Sequence, residues 1–481
     1  PYIRFCFIYC INFQIVPLTL HPEIHSLVLN YNRIPEVGPA SFQFHPELTL
    51  VNLRHSNLSN LQDKTFEAQR RLITLNLSFN QVAVIKRLTF YGLQSLRLLD
   101  LSYNRVEELR AEVFTHLPNL TRLNLAGNRI STVNPAAFNG LRSLLVLDLS
   151  HNLLEAVDDQ GWQGMERIKD LIVSKNRLKQ VNFSVLSSLV SLDLSDNPSM
   201  NLSAVYLDRC GSLVSLDLSG LGLEEVPNPL LTSLPALSSL RLNGNNISKL
   251  TPSAFSDLHR LKTLEIINNP ALEAINEDAF TSLRGLVSLN ISGNENLREL
   301  SPHIFTLLTK LQTLNLSNNK LTSLPVELGD NVVNLELLGN PWSCDCSLHG
   351  LQVLASSRNL SLACASPEDM AGDQVADLDL SSCTSTQGLA GSHLVEDNFM
   401  LIIITSVVAT FLLLAGLVLV YHFRQRLQNL VKGLRGKPEV GKDAAGYSPE
   451  YQRSFIQHED YFISLANRPD QQPRHIPVTE L

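Results

Sequence analysis

The chain has 481 residues, 44% of them hydrophobic and 17% charged, with a formal net charge of −8. Residues 1–423 hold 29 Lys and Arg against 39 Asp and Glu, which argues against a nucleic-acid or heparin partner held by bulk electrostatics. No Gly-rich phosphate loop, H-E-x-x-H or G-x-S-x-G occurs and the histidines are scattered, so no catalytic residue, metal site or cofactor is expected.

Phe5 to Val16 is apolar and aromatic and carries Cys6 and Cys10. From residue 24 the pattern L-x-x-L-x-L-x-x-N takes over. It is clearest at Leu72 (LITLNLSFN), Leu96 (LRLLDLSYN), Leu120 (LTRLNLAGN) and Leu144 (LLVLDLSHN), each 24 residues after the last. Ile24, Leu48, Ile168, Leu189, Leu213, Leu237, Leu261, Leu286, Leu311 and Val332 open the others, at steps of 21, 24 or 25 residues.

Such repeats identify leucine-rich repeats, about fourteen of them over 24–340. The expected fold is an α/β solenoid, a horseshoe in which each repeat gives one short strand and buries its apolar face only against its neighbours. Leu75 and Leu77 should point inward, and Thr74, Asn76 and Ser78 outward onto the concave sheet. Asn32, Asn80, Asn104, Asn128, Asn152, Asn176, Asn245, Asn319 and Asn340 should form a ladder satisfying backbone groups of neighbouring turns. Phe42, Phe66, Phe90, Phe114, Phe138 and Trp162, then less regularly Phe183, Phe255, Phe280 and Phe305, should fill the convex layer. Leu221 replaces the ladder Asn, and no Phe appears from Leu189 to Leu231, so a change of curvature is expected near residues 197–231. Cys210 reads as a buried small hydrophobe. Residues 1–23 read as an incomplete N-terminal cap or a signal remnant, the chain opening at Pro1 without Met.

Asn340-Pro341-Trp342-Ser343-Cys344-Asp345-Cys346, then Cys364 and Cys383, resembles the C-terminal flanking module of extracellular leucine-rich repeat proteins, placed at 341–386. Spacing alone permits three pairings; the resemblance implies Cys344 with Cys364 and Cys346 with Cys383. Residues 387–398 form a stalk. Phe399 to Tyr421 run 23 residues without a charge, enough for a transmembrane helix. Arg424, Arg426, Lys432, Arg435 and Lys437 follow it, which by the positive-inside rule makes 422–481 a cytoplasmic tail and the protein a single-pass type I protein of the plasma membrane.

Nine N-x-S/T sequons, at Asn57, Asn76, Asn119, Asn182, Asn201, Asn246, Asn290, Asn315 and Asn359, all precede this segment. The tail is too short for a signalling enzyme or the signalling domain of Toll-like receptors, and reads as disordered beyond Lys437. It ends Val478-Thr479-Glu480-Leu481, so Thr479 and Leu481 fit the carboxyl-terminal motif that PDZ scaffolds accept by strand addition.

Recognition remains. The residue before the ladder position runs Tyr31, His55, Phe79 and Tyr103 in the first four repeats, a row of the residue types that carry binding energy at protein interfaces. The central strand column, from Asn52 to Glu336, is mostly acidic or amide. The whole resembles single-pass leucine-rich repeat cell-surface proteins such as trophoblast glycoprotein, platelet glycoprotein V and the ectodomains of Toll-like receptors. The resemblance implies an adhesion molecule or co-receptor that binds an extracellular or cell-surface protein through its concave face, where this column is expected to lie. The alternatives are an innate-immune pattern or accessory receptor, and a carrier of a latent growth factor linked through an unpaired cysteine.

Overall fold

The computed structural model describes residues 12–379, except 253, 325–327, 329 and 330, together with the strand Phe5–Phe7 and Arg424. Cys383, the segment 399–421 and the tail's Thr479 and Leu481 lie outside the described residues. Among the described residues no helix is long and apolar enough to cross a membrane.

Fifteen short strands form one sheet. Fourteen, from Ser26–Val28 to Asn334–Glu336, come one from each expected repeat, and Phe5–Phe7 adds another that pairs Phe5 with Ser26. All pairings are parallel and in phase, as in Thr74 opposite Leu98 and Leu99 opposite Leu123. The expected α/β class is corrected to a β-solenoid, because the return side of each turn is built of short extended pairs and single turns. There the amides of Asn60 and Gln62 donate to the carbonyls of Pro35 and Val37 one repeat back, at 3.1 Å each, and Lys64 to Leu88 of the next at 2.9 Å. Amides engaged between repeats are not free for the i to i−4 bonds of a helix.

Leu75, Leu77 and their equivalents are buried in every repeat but the last, where Leu335 is half-buried. Asn80 shows what the ladder does. Its Nδ2 donates to the carbonyls of Leu53, Leu77 and Ser78 at 2.8, 2.9 and 3.1 Å, and its Oδ1 accepts from the amides of Ser56 and Leu58 at 2.9 Å each. One side chain thus satisfies peptide groups of two turns that are shut off from water. Asn197, Asn269 and Asn294 join the ladder as well, all fully buried and donating to carbonyls of their own and the preceding repeat.

Ser78 is buried rather than facing the concave surface, and so are Ser102, Ser150 and Ser317. The cause lies in the central column. Asn76 Oδ1 accepts from Ser78 N at 2.9 Å and Ser78 Oγ at 2.7 Å, and Asp100 does the same for Ser102 at 3.0 and 2.7 Å. These are Asx turns, which end the strands that close on Asn or Asp, so those residues of the column are engaged in local structure.

The aromatic spine is stacked: Phe42 with Phe66 at 5.4 Å, Phe90 with Phe114 at 6.1 Å, Phe114 with Phe138 at 6.2 Å and Trp162 with Phe183 at 5.6 Å. Between Phe183 and Phe255 its places fall to Leu207 and Leu231, both buried. The sheet keeps its register here, Ser191 opposite Ser215 and Ser215 opposite Ser239. The irregularity falls instead on the return side, where the helix Asn228–Leu231 stands and a groove of about 350 Å³ opens between Met200–Ser203 and Leu223–Leu230. Two leucines fill less of a close-packed layer than two phenylalanines.

Cys210 is fully buried, its Sγ 3.6 Å from the Phe183 carbonyl oxygen. Burial, with Asp208 adding to it, pushes its thiol up to about 11.

At the far end Trp342–Ser343 pairs with Cys364–Ser366, Cys344 is disulfide-bonded to Cys364, and Leu351 and Ala355 of the helix His349–Arg358 are buried. Arg358 donates to the Val332 carbonyl, tying this segment to the last repeat. Cys346 is also held in a disulfide; Cys383, the partner that the resemblance implies, is outside the described residues.

Candidate functional site: an aromatic stack on left-handed turns

Tyr31, His55, Phe79 and Tyr103 come together as one continuous stack. Ring centroids are 4.8 Å apart between Tyr31 and His55, 4.5 Å between His55 and Phe79, and 4.4 Å between Phe79 and Tyr103, with planes inclined by 10, 28 and 16°. The residues do not lie on the concave strands, as the sequence reading has it, but three residues beyond them: Thr74–Asn76 ends before Phe79. The stack therefore follows the edge of the sheet at the strands' carboxyl ends. Inter-repeat hydrogen bonds set its spacing, with Tyr31 N donating to Arg54 O at 3.1 Å, His55 N to Ser78 O at 3.2 Å, Phe79 N to Ser102 O at 2.9 Å and Tyr103 N to Ala126 O at 2.7 Å.

All four residues have left-handed backbones, with φ of 60, 53, 55 and 53°. The same column is left-handed in every later repeat, at Gly127, His151, Lys175, Asp196, Gly220, Gly244, Asn268, Gly293, Asn318 and Gly339. From Asp196 onward it holds only Gly, Asn and Asp, the residues that enter this region at least cost. An aromatic side chain there costs about 1 kcal/mol of backbone strain, which ring pairs worth about 0.5–1.5 kcal/mol each offset. The Gly, Asn and Asp of Asp196 to Gly339 were the signal in the sequence for a positive φ, and sequence reasoning passed over it.

Tyr31 and Tyr103 are 54% and 47% exposed, and His55 and Phe79 half-buried. The Arg54 guanidinium lies 4.5 Å from the centroid of the Phe79 ring. Burial, then the charge of Arg54, holds His55 below its ordinary 6.5. Gly127 closes the stack by packing its backbone on Tyr103.

The sequons divide by environment. Asn57, Asn119, Asn201, Asn246 and Asn359 are exposed. Asn76, Asn290 and Asn315 end concave strands, as the repeat register implies, and Asn182 ends a return-side strand. All four are half-buried, with Oδ1 accepting from the amide two residues on.

Two leucine rich repeat families match the chain, one at residues 22–82, 70–130, 118–178 and 235–295 and the other at 310–331. Among solved structures, TLR13 in the TLR13–ssRNA13 complex is 26% identical, with a TM-score of 0.67, over 75% of this chain and 54% of that one. The Drosophila Toll–Spatzle complex is similar in fold, at 22% identity and a TM-score of 0.56 over 74% and 58% of the two chains. A leucine-rich repeat protein of Leptospira interrogans is 27% identical, with a TM-score of 0.59 over 69% and 82%. Chondroadherin of Mus musculus is 37% identical over 82 residues, 16% of this chain and 23% of that protein. The chain thus spans about a quarter of the curated relatives it matches and about half of the TLR13 chain.

The class is plain: this is a leucine-rich repeat protein with a solenoid fold. Its solenoid resembles the ectodomains of Toll-like receptors, a fold consistent with ligand binding.

Proposed function

We propose that this protein recognises an extracellular or cell-surface protein through the edge formed by Tyr31, His55, Phe79 and Tyr103, as an adhesion molecule or co-receptor. The observation that carries the reading is the left-handed backbone under four stacked aromatics. A column that from Asp196 onward uses only the least strained residues keeps strained ones where they form a continuous, partly exposed row, and aromatic rows of this kind supply hot-spot energy at interfaces. The apolar segment 399–421 would anchor the protein as a single-pass type I membrane protein. Thr479 and Leu481 would recruit a PDZ scaffold, and glycans at the nine sequons would limit which surfaces stay open.

Single-stranded RNA, present in the TLR13–ssRNA13 complex, fits the stack poorly. Bases bind single-strand platforms by stacking on free ring faces, and here the inner faces are occupied by one another and the outer face of Tyr103 by Gly127. A carrier of a latent growth factor would need a reactive unpaired cysteine; Cys210 is buried in the core, which leaves Cys6 and Cys10 to that reading.

The test displays the full chain on cells and screens it against secreted and cell-surface proteins, with microbial lipids alongside. A protein hit abolished when Tyr31, His55, Phe79 and Tyr103 are all changed to Ala, with surface level unchanged, supports the reading. A microbial hit, or one indifferent to those changes, overturns it.

A further inference from the structure

We infer that the partner presents a carboxylate-rich segment to this edge, an inference that rests on the stack being the docking site. Three observations converge. First, the rings face one another along the stack, so a partner approaching from the side meets ring edges. Aromatic edges are the electropositive part of the ring quadrupole and attract anionic oxygens. Second, arginines recur two residues beyond members of this column. Arg33, Arg105 and Arg129 are exposed, each two residues beyond Tyr31, Tyr103 and Gly127. None of them, nor Arg54, forms an ion pair among the described residues. The Nε–H of Arg54 is shut off from solvent and meets no acceptor there. Third, the charge of the chain is divided. Residues 24–145 carry 13 Lys and Arg against 8 Asp and Glu, a net of +5, whereas residues 146–423 carry 15 against 30, a net of −15. A negatively charged partner is therefore steered to the repeats that bear the stack and repelled from the rest.

A protein segment fits better than a sulfated glycan or a nucleic acid. Those bind chiefly through charge where the inner ring faces are taken, and would leave most of the strained aromatics without a role.

The experiment immobilises the full chain and measures binding of a short Glu-rich peptide interspersed with Tyr and Leu, its Lys-for-Glu counterpart, a heparin fragment and a single-stranded oligonucleotide. Two variants are compared with wild type. One is Arg54→Gln with Arg105→Gln and Arg129→Gln; the other is Tyr31→Ser with Tyr103→Ser, and thermal unfolding checks that both fold. Arg105→Gln with Arg129→Gln, both at exposed positions, replaces the triple variant if Arg54→Gln disturbs folding. The expected result is binding of the Glu-rich peptide alone, weakening with salt, and reduced about tenfold by each variant. No binding of that peptide, equal binding of its Lys counterpart, or an arginine variant that binds like wild type overturns the carboxylate inference; if the tyrosine variant still weakens binding, the docking edge itself stands. Peptide binding unchanged in the tyrosine variant overturns the edge. Heparin or oligonucleotide binding that falls only in the arginine variant means a general polyanion site and overturns the inference as well.

Discussion

A Cβ on Gly127 would lie 2.6 Å from Cδ1 of Tyr103, on a residue whose φ is +67°. The fifth member of the column is therefore a stop: its bare backbone seats the last ring of the stack, and no side chain fits between them. Gly127→Ala should destabilise the protein by about 1–2 kcal/mol and displace the Tyr103 ring, weakening any ligand that uses it. Thermal unfolding and binding of the same ligand check this; an unaltered affinity would remove Tyr103 from the docking edge.

Phe79 offers a cleaner measure of the strain. Replacing it by Ala or by Gly removes the same contacts to His55, Tyr103 and Arg54, but only Gly relieves the left-handed backbone. Phe79→Gly should be more stable than Phe79→Ala by about 1 kcal/mol, the reverse of the usual order of these residues. Chemical denaturation of the two variants decides it, and Ala proving the more stable would mean the backbone relaxes out of this region.

The ladder predicts a contrast between two asparagines. Asn80→Ala strips five hydrogen-bond contacts from buried peptide groups and should cost about 3 kcal/mol. Asn246→Ala, at an exposed position outside the left-handed set, should stay within about 0.5 kcal/mol. Similar losses for both would mean that the ladder is not the spine of the fold.

Cys210 should be inert. A thiol pushed up to about 11 and shut off from solvent offers almost no thiolate near neutral pH, so alkylation of the native chain should run at least about 100-fold slower than in denaturant. Rapid labelling of Cys210 in the folded protein would reopen covalent linkage to a partner.

Acid should weaken the stack. His55 has a folded pKa below its ordinary 6.5, because burial and then Arg54 disfavour the imidazolium. The folded state therefore binds fewer protons than the unfolded one between the two values. The associated stability is present above the ordinary value and is lost as pH falls through the folded one. Lowering pH from about 7.5 to about 5.5 should reduce the Tm of wild type more than that of His55→Gln. Equal losses would show that His55 does not couple to folding.

Much of this was legible in the residues themselves. The 24-residue step of Leu72, Leu96, Leu120 and Leu144 determined the strand register, the buried leucines and the stacked phenylalanines, because a solenoid repeats one local solution and each copy reinforces the others. The Cys344–Cys364 bridge agrees with what the family resemblance implied. What only the tertiary structure decided concerns backbone angles and partners from neighbouring turns. Ser78 reads as an outward strand position, yet the Asx turn of Asn76 folds it inside. Asn197, Asn269 and Asn294 lie in weaker repeats, and burial shows that they complete the ladder. Tyr31, His55, Phe79 and Tyr103 form an evident column in one dimension, but a column of letters carries neither φ nor ring planes. Their left-handed turns and mutual stacking arise only when one repeat's amide finds the next repeat's carbonyl, which leaves ring edges along the edge of the sheet.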